Sequence, residues 1–469
     1  MTGLPNNFRA ADVQGNILRG YGRARVRHLL LEVADAPAAR RWLAAAAAGG
    51  DAAVPAVTTE EQWEVKPATC FNLGLTFAGM TALGLPAATL AGFPSEFRGG
   101  MASRAVKLGD VGASAPDRWP APFDAPGRLH IVAAIHGAEP GDLARVEAMI
   151  PAGPGAAFVR LGARDGWNFD GDVVHFGYRD NFSQPRFAGI HDPGAFPDKQ
   201  PLAPVGSMLL GYATEYEGLL WTIPQPDVFG RNGAFNAFRV LAQDVTAFEA
   251  YLDSAAAAIL ADPLGVDLLP PGAKRGFGAG LSRHAALREV VAAKMCGRWR
   301  NGVPLALSPD TPDPATPPSL TDFDYSGGTA CPFGAHMRRV NPRGGTIVQR
   351  AARHTRRLVR RSHPYGPAYD PSHPATERGL LGNFIGANLG AQFEALMCDW
   401  VNLGLEDPRI TGTNDALIGN NIPAFSAFTI PLASGGVIRL EGFPRFVTTR
   451  GGAYTFLPGL PALRYLATL

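Results

Sequence analysis

Apolar residues alternate with polar ones, or run together briefly, at 26–33, 71–77, 129–135, 158–161 and 173–176, and each segment predicts a strand. Helical spacing fills intervals between them: 36–48, a longer stretch over 82–108 interrupted by Pro86 and Pro94, and 142–150. Strands separated by helices in this order predict βαβ-type units on a mixed or antiparallel sheet rather than a sandwich. Further along, 380–389 is apolar but broken by glycines, and 391–403 predicts a helix with Phe393, Leu396, Met397, Trp400 and Val401 as its apolar residues. Strands are predicted near 425–432 and 437–440.

The second half of the chain repeats the theme of the first. Residues 27–43, RHLLLEVADAPAARRWL, laid over 236–252, NAFRVLAQDVTAFEAYL, at an offset of 209 match Asp35 with Asp244, Ala38 with Ala247, Trp42 with Tyr251 and Leu43 with Leu252. In both, an Asp stands where a strand gives way to a helix and an N-cap is needed. Four matches in seventeen positions fit a duplication or two unrelated strand-turn-helix units. Set against 469 residues, and about 150 residues per domain as a guide, they favour two similar α+β halves, at 1–200 and 201–469. The segment 308–319, with five prolines, reads as an excursion inside the second half.

Composition narrows the classes of function. Apolar residues make up 46% and charged residues 18%, which excludes a disordered chain, and a net charge of +2 excludes a generally basic nucleic-acid binder. No apolar run approaches the roughly 18 residues of a spanning helix, so no membrane association is expected. The 56 glycines and 41 prolines predict many turns and long ordered loops. Cysteines at 70, 296, 331 and 398 are too dispersed for a CxxC pair, which removes zinc ribbons and thioredoxin-type sites. The opening MTGLPNNFRAADVQGN has neither the charged nor the apolar region of a secretory signal, so a cytoplasmic location is expected.

Three features carry candidate chemistry. Residues 336–361, HMRRVNPRGGTIVQRAARHTRRLVRR, hold nine arginines and no acid; with no aromatic residue interleaved and the rest of the chain net acidic, a small polyanionic ligand accounts for them better than a polynucleotide. None of the ten histidines pairs with another at HxH or HxxxH spacing, which disfavours a zinc hydrolase. His336 stands apart because it follows Cys331-Pro332-Phe333-Gly334-Ala335 and opens the arginine cluster, and a lone imidazole beside cations that can pair with propionates suits the proximal side of a haem. Asp180, in HFGYRDNFSQP (175–185), reads either as a turn-capping acid or as a catalytic one.

The order of several longer segments decides between these readings. AADVQGNILRGY (10–21), SEFRGGMASRAVKLGD (95–110), FGYRDNFSQP (176–185), AAKMCGRWRNGVPLALSPD (292–310), CPFGAHMRRVNPR (331–343) and RRSHPYG (360–366) resemble, in sequence and in order, segments of the dye-decolorizing peroxidases, most closely their larger bacterial and fungal-type branch. The resemblance spans nearly the whole chain. It implies an α+β fold of two ferredoxin-like halves with antiparallel sheets and peripheral helices, akin to the dimeric α+β barrels, with the distal acid in the first half and the proximal histidine and haem pocket in the second. It implies haem b (iron protoporphyrin IX) as cofactor, His336 as iron ligand, Arg343 on a haem propionate, Asp415 as hydrogen-bond partner of the histidine, and Asp180 and Arg360 as the distal catalytic pair.

The chain departs from the family pattern in three places. Asn181 follows the distal acid where the family has glycine; that position calls for positive φ, which Asn tolerates next best. The segment 379–385, GLLGNFI, replaces one usually reading like GLLFLCF, and this register puts Asn383 and Ile385 on the distal side of the cofactor. His363 falls near the distal arginine, where it is read as a neighbour rather than a catalytic group. The activity implied is reduction of hydrogen peroxide with one-electron oxidation of phenolic, dye-like or other bulky organic donors, the largest through a surface residue such as Tyr365 or Trp400. The alternative is a haem-binding protein or specialised biosynthetic haem oxidase with weakened peroxidase activity. Neither oligomeric state nor the physiological reductant follows from the sequence.

Overall fold

A computed structural model describes residues 3–192, 194, 198–216, 219–269, 282–347 and 356–469. Its first unit is built from β1 (Arg25–Val33), the helix Ala36–Ala48, β2 (Thr69–Leu75), β3 (Ile131–Gly137), the helix Pro140–Glu147 and β4 (Phe158–Trp167). These strands lie antiparallel in the order β4-β1-β3-β2, the ferredoxin-like arrangement. The second unit contains β5 (Ala234–Gln243), the helix Val245–Ala261, β6 (Val359–Arg360), β7 (His363–Tyr365) and β8 (Gly379–Gly386). After them come β9 (Ala427–Pro431) and β10 (Val437–Glu441), which form a separate ribbon, and β11 (Val447–Leu457). Its order, β11-β5-β8-β6, reproduces that of the first.

The matched aspartates explain why the two units start alike. Asp35 accepts a hydrogen bond from the Ala38 amide at 2.9 Å, and Asp244 accepts one from Ala247 at 2.8 Å, so each caps the helix that folds back over its sheet. Trp42, on the first of these helices, packs edge-on against Phe71 and Phe158 at 6.1 and 5.4 Å between ring centroids.

The two sheets merge, because β11 pairs with β2 at Phe456 and Leu75, giving one nine-stranded sheet. The sheet curls until its far edges approach, and a Cβ added to Gly166 of β4 would meet the Cβ of His363 in β7 at 2.8 Å. Among the described residues no helix is long and apolar enough to cross a membrane.

Several local expectations are corrected. Residues 173–176 form no strand; Val173 makes only an isolated bridge to Arg179, because Gly177, at φ +82°, turns the chain back on itself. The stretch 82–108 is broken into short helices at Pro86 and Pro94 and again at Gly100, whose φ is +73°. The helix expected at 391–403 is two turns of π-helix, Leu389–Glu394 and Leu396–Val401. No strand is expected at β11, the longest in the sheet, because Gly451 and Gly452 interrupt its pattern. A Cβ at Gly451 would meet the Phe123 ring at 2.2 Å and one at Gly452 the Met101 sulfur at 2.4 Å, so close packing requires both glycines.

Candidate active site

One cavity encloses about 1390 Å³, the solvent at its open mouth included. Its floor is the short helix His336–Val340. His336 Nδ1 lies 2.9 Å from Asp415 Oδ2, and the other oxygen of that carboxylate accepts hydrogen bonds from the Leu417 and Ile418 amides at 2.8 and 3.0 Å. Asp415 is fully buried; burial pushes its carboxyl up, but His336, Arg339 and the Ile418 amide together hold it below the usual range. With Nδ1 engaged, Nε2 of His336 has no hydrogen-bond partner among the described residues, and the side chain lines the cavity.

Arg339, one helical turn after His336, ties that helix to the Asp415 loop. Its buried guanidinium donates to the carbonyls of Gly334, Trp400, Thr413 and Asn414 and to the Thr413 hydroxyl. Behind it, 3.9 Å away, sits Glu406, buried with neither oxygen hydrogen-bonded; burial raises its carboxyl to about 8 against the pull of Arg339, with Asp415 and Asp407 nearby adding to the rise. Unfolded, this acid ionises in the ordinary carboxylate range. Its contribution to stability is therefore complete below that range and is lost as pH rises through about 8. Glu406→Gln is expected to flatten this decline, on the order of a few kcal/mol, between denaturation curves at pH 5 and 8.5; parallel curves in the two proteins would remove Glu406 as its source.

Across the cavity stand Asp180 and Arg360, with Arg360 Nη2 3.5 Å from Asp180 Oδ1. Asn181, at φ +72° as its position predicts, donates its backbone N–H to that same oxygen at 2.7 Å. Arg360 belongs to β6 opposite Phe384 of β8; its backbone N–H donates to the Gln184 side chain at 3.0 Å and its Nη2 to the Ser183 carbonyl at 3.1 Å. The next residue, Arg361, is half-buried and donates to the carbonyls of Asn16 and Ile17, and the amides of Ile17, Leu18 and Arg19 converge on Glu60. The segment 10–21 thus fastens the strand that presents Arg360.

Two expectations about the cavity wall need correction. Leu380 and Phe384 line it, whereas Asn383 and Ile385 point the other way, because alternate residues of β8 face opposite sides of the sheet. Asn383 instead accepts from Asn236 at 2.9 Å and lies 3.0 Å from His28 Nε2, lining a small cavity inside the curled sheet. Arg343 is also turned away: it donates to Asp198 Oδ1 at 3.1 Å, the Thr321 carbonyl at 2.7 Å and the Ser183 hydroxyl at 3.3 Å, stacks over Phe323, and is not among the residues lining the cavity. Of the cluster's arginines, Arg357 lines it beside Arg360; Arg357 is buried, with no carboxylate in ion-pair contact among the described residues. Burial and then the neighbouring charge of Arg343 lower its guanidinium to about 9. Arg350 and Arg353 of the basic cluster lie outside the described residues.

No family model matches the chain. Among curated proteins, a dye-decolorizing peroxidase of Exidia glandulosa is 28% identical over 477 residues, covering 96% of this chain and 86% of that protein. A multifunctional dye peroxidase of an Amycolatopsis species is 27% identical over 97% of this chain and 95% of its own length. Among solved structures, a dye-decolorizing peroxidase in complex with 2,6-dimethoxyphenol matches with a TM-score of 0.78 at 26% identity, covering 98% of this chain and all of the other. Over nearly its whole length the chain is similar to dye-decolorizing peroxidases, fungal and bacterial, in sequence and in fold.

Like the fold, the site is one arrangement: a histidine backed by a buried carboxylate on one side of a single cavity and an acid–arginine pair on the other. Sequence reasoning had drawn His336, Asp415, Asp180 and Arg360 from four separate segments, and the fold brings all four to this place. It missed Arg357, Leu380 and Phe384. Arg357 sat unmarked inside the arginine cluster, and the β8 residues were assigned to the wrong face by one position of register. His363, in β7, is buried, with Nε2 3.1 Å from the Arg23 carbonyl; it does not line the large cavity.

Proposed function

We propose that the chain is a haem-dependent peroxidase that reduces hydrogen peroxide and oxidises phenolic or dye-like donors in one-electron steps, with haem b held in the large cavity. The observation that carries this reading is the opposition, across one cavity, of an imidazole fixed by a buried carboxylate and a carboxylate fixed beside an arginine. The residues present fit the cofactor. His336 keeps one ring nitrogen unengaged toward the cavity, Met337, Ile418, Leu380 and Phe384 give it apolar walls, and Arg357 offers a buried cation to a propionate. Haem bound there would supply the redox chemistry that passes oxidising equivalents from peroxide to donor.

The protein's own groups handle protons and charge. Asp180 is positioned to take a proton from one peroxide oxygen and return it to the other, with its orientation held by the Asn181 amide. Arg360 stays charged and places a directional donor beside the oxygen that becomes negative. On the far side, Asp415 accepting the imidazole N–H makes His336 a stronger electron donor and fixes its ring. In this reading residues 1–200 are the half bearing Asp180 and residues 201–469 the half bearing His336. Of the two aromatic candidates for oxidation of large donors, Trp400 is buried beneath Arg356, whereas Tyr365 is partly exposed, with its hydroxyl donating to Glu377 at 3.1 Å. Asn383, one of the amides behind the weakened-peroxidase alternative, is outside the cavity and lends it no support.

The test is reconstitution with haem followed by peroxide-dependent oxidation of 2,6-dimethoxyphenol. Stoichiometric haem uptake with sustained turnover is expected; uptake without turnover would leave only haem binding. Arg357→Gln is expected to speed haem loss to a scavenger protein about tenfold, as for one charge-assisted hydrogen bond, read from the Soret absorbance. An unchanged rate would show that Arg357 anchors no propionate.

A further inference from the structure

The end of the large cavity that lies away from Asp180 and Arg360 is polar. In the merged sheet the strands run β6-β8-β5-β11, and the side chains facing the cavity pass from Arg360, through Leu380 and Phe384, to Arg239 and Leu241 and then to Val447 and Thr449. At about 4.8 Å per strand, Thr449 lies roughly 14 Å along the sheet from Arg360. Asp110, Ser114 and Arg445 line the cavity at the same end.

Charges meet there inside the protein. Arg239 and Asp110 are both 2% exposed. One oxygen of the carboxylate, Asp110 Oδ1, accepts from Arg239 Nη2 and, at 2.7 Å, from the Thr449 hydroxyl. The other oxygen has no hydrogen-bond partner among the described residues, and neither do Nε and Nη1 of Arg239. Arg445 adds a second cation: its Nη1 donates to the Ser114 hydroxyl, and the acid whose charge it feels is again Asp110. Two guanidinium groups thus share one carboxylate, an excess of one positive charge. Burying a guanidinium with two of its nitrogens unbonded is costly unless a ligand accepts from them. Beside this end the walls are apolar, with Leu241 and Val447 on the sheet and Phe393 and Met397 on the π-helical turns. A carboxylate carried on an aromatic ring answers both features, the acid for the cations and the ring for the apolar walls.

We propose that this end of the cavity is a subsite for the carboxylate of a small aromatic donor, so that phenolic acids are preferred over neutral phenols of the same size. The proposal rests on the peroxidase reading above, which assigns the cofactor's propionate to Arg357, in the segment leading into β6.

The test measures binding of vanillate and of its neutral analogue vanillyl alcohol to the resting, haem-loaded protein by equilibrium dialysis at pH 7, where the carboxylate is ionised. Vanillate is expected to bind about tenfold tighter than the alcohol, as for one charge-assisted hydrogen bond. Arg445→Gln should bring that ratio close to one. Asp110→Asn, which keeps an oxygen for Arg239 and Thr449 but removes the opposing charge, should raise it, and the ratio of KM values under turnover should move with the binding ratio in each variant. Equal binding of the two probes to the wild type, or a shift in the same direction in both variants, would overturn the proposal. Haem loss from Arg445→Gln to a scavenger protein should match the wild type; faster loss would give this end of the cavity to a propionate and overturn the proposal as well. If vanillate binds with this charge dependence while peroxide leaves the haem spectrum unchanged, the peroxidase reading fails and the subsite stands. Should the chain take up no haem, that reading falls, and the same binding ratios in the haem-free chain decide the subsite.

Discussion

Asp180→Asn is expected to lower the second-order rate constant for hydrogen peroxide by about 10²–10⁴-fold, the usual contribution of a positioned acid–base group, while haem content and the resting spectrum stay as in the wild type. The substitution keeps the shape of the side chain and an oxygen able to accept the Asn181 amide, so the local geometry survives. What it removes is an oxygen that can bind and release a proton between the two peroxide oxygens. Arg360→Leu should give a loss of about 10²–10³-fold by a different route, because it withdraws fixed positive charge from the developing anion. Stopped-flow absorbance at one equivalent of peroxide measures both. A rate for Asp180→Asn within twofold of the wild type would place the proton relay elsewhere. The same result for Arg360→Leu would mean that the 3.5 Å pairing with Asp180 serves structure alone.

His336→Ala is expected to abolish axial ligation by the protein, seen as loss of the iron–histidine vibration in resonance Raman spectra of the reduced, haem-loaded protein. Added imidazole should restore part of the signal by filling the space the ring leaves. Asp415→Asn should have a smaller but still large effect. Loss of a carboxylate behind a ligating histidine typically reduces affinity or activity about 10–100-fold, and here the carboxylate is fully buried and held by two backbone amides as well as the ring. The vibration should shift to lower frequency in Asp415→Asn, because an amide draws less on the imidazole N–H than a carboxylate does. A wild-type band in His336→Ala would overturn the ligand assignment, and a wild-type frequency in Asp415→Asn would show that the 2.9 Å contact does not tune the histidine.

Both variants act on residues far apart in the chain, and the difference between what each segment announces and what the fold makes of it is visible throughout. The strand-turn-helix units headed by Asp35 and Asp244 were legible because caps and alternation are local properties, written within about ten residues. His336 and Asp180 were legible because each lies in a compact, distinctive motif. β11 was not, since Gly451 and Gly452 break its alternation for the sake of Phe123 and Met101, which come from a different half. The register of β8 failed for the same kind of reason. A one-residue choice of face carries no local signature in a strand that is apolar or small on both sides, and only the closing of the curled sheet sends Asn383 inward and Phe384 toward the cavity.

The sequence by itself determined the α+β class and its repeated strand-turn-helix unit, because backbone propensity and capping are read over short distances, and through its resemblance to a known family it pointed to His336, Asp415, Asp180 and Arg360. The tertiary structure alone decided which of Arg343 and Arg357 meets the cavity. Arg343 and Arg357 are alike in the chain, but Asp198, Thr321 and Ser183 reach the first and satisfy it, while no acid among the described residues pairs with the second. Whether a charge is spent on the protein or kept for a ligand depends on partners brought from elsewhere in the chain, and those are assembled only by folding.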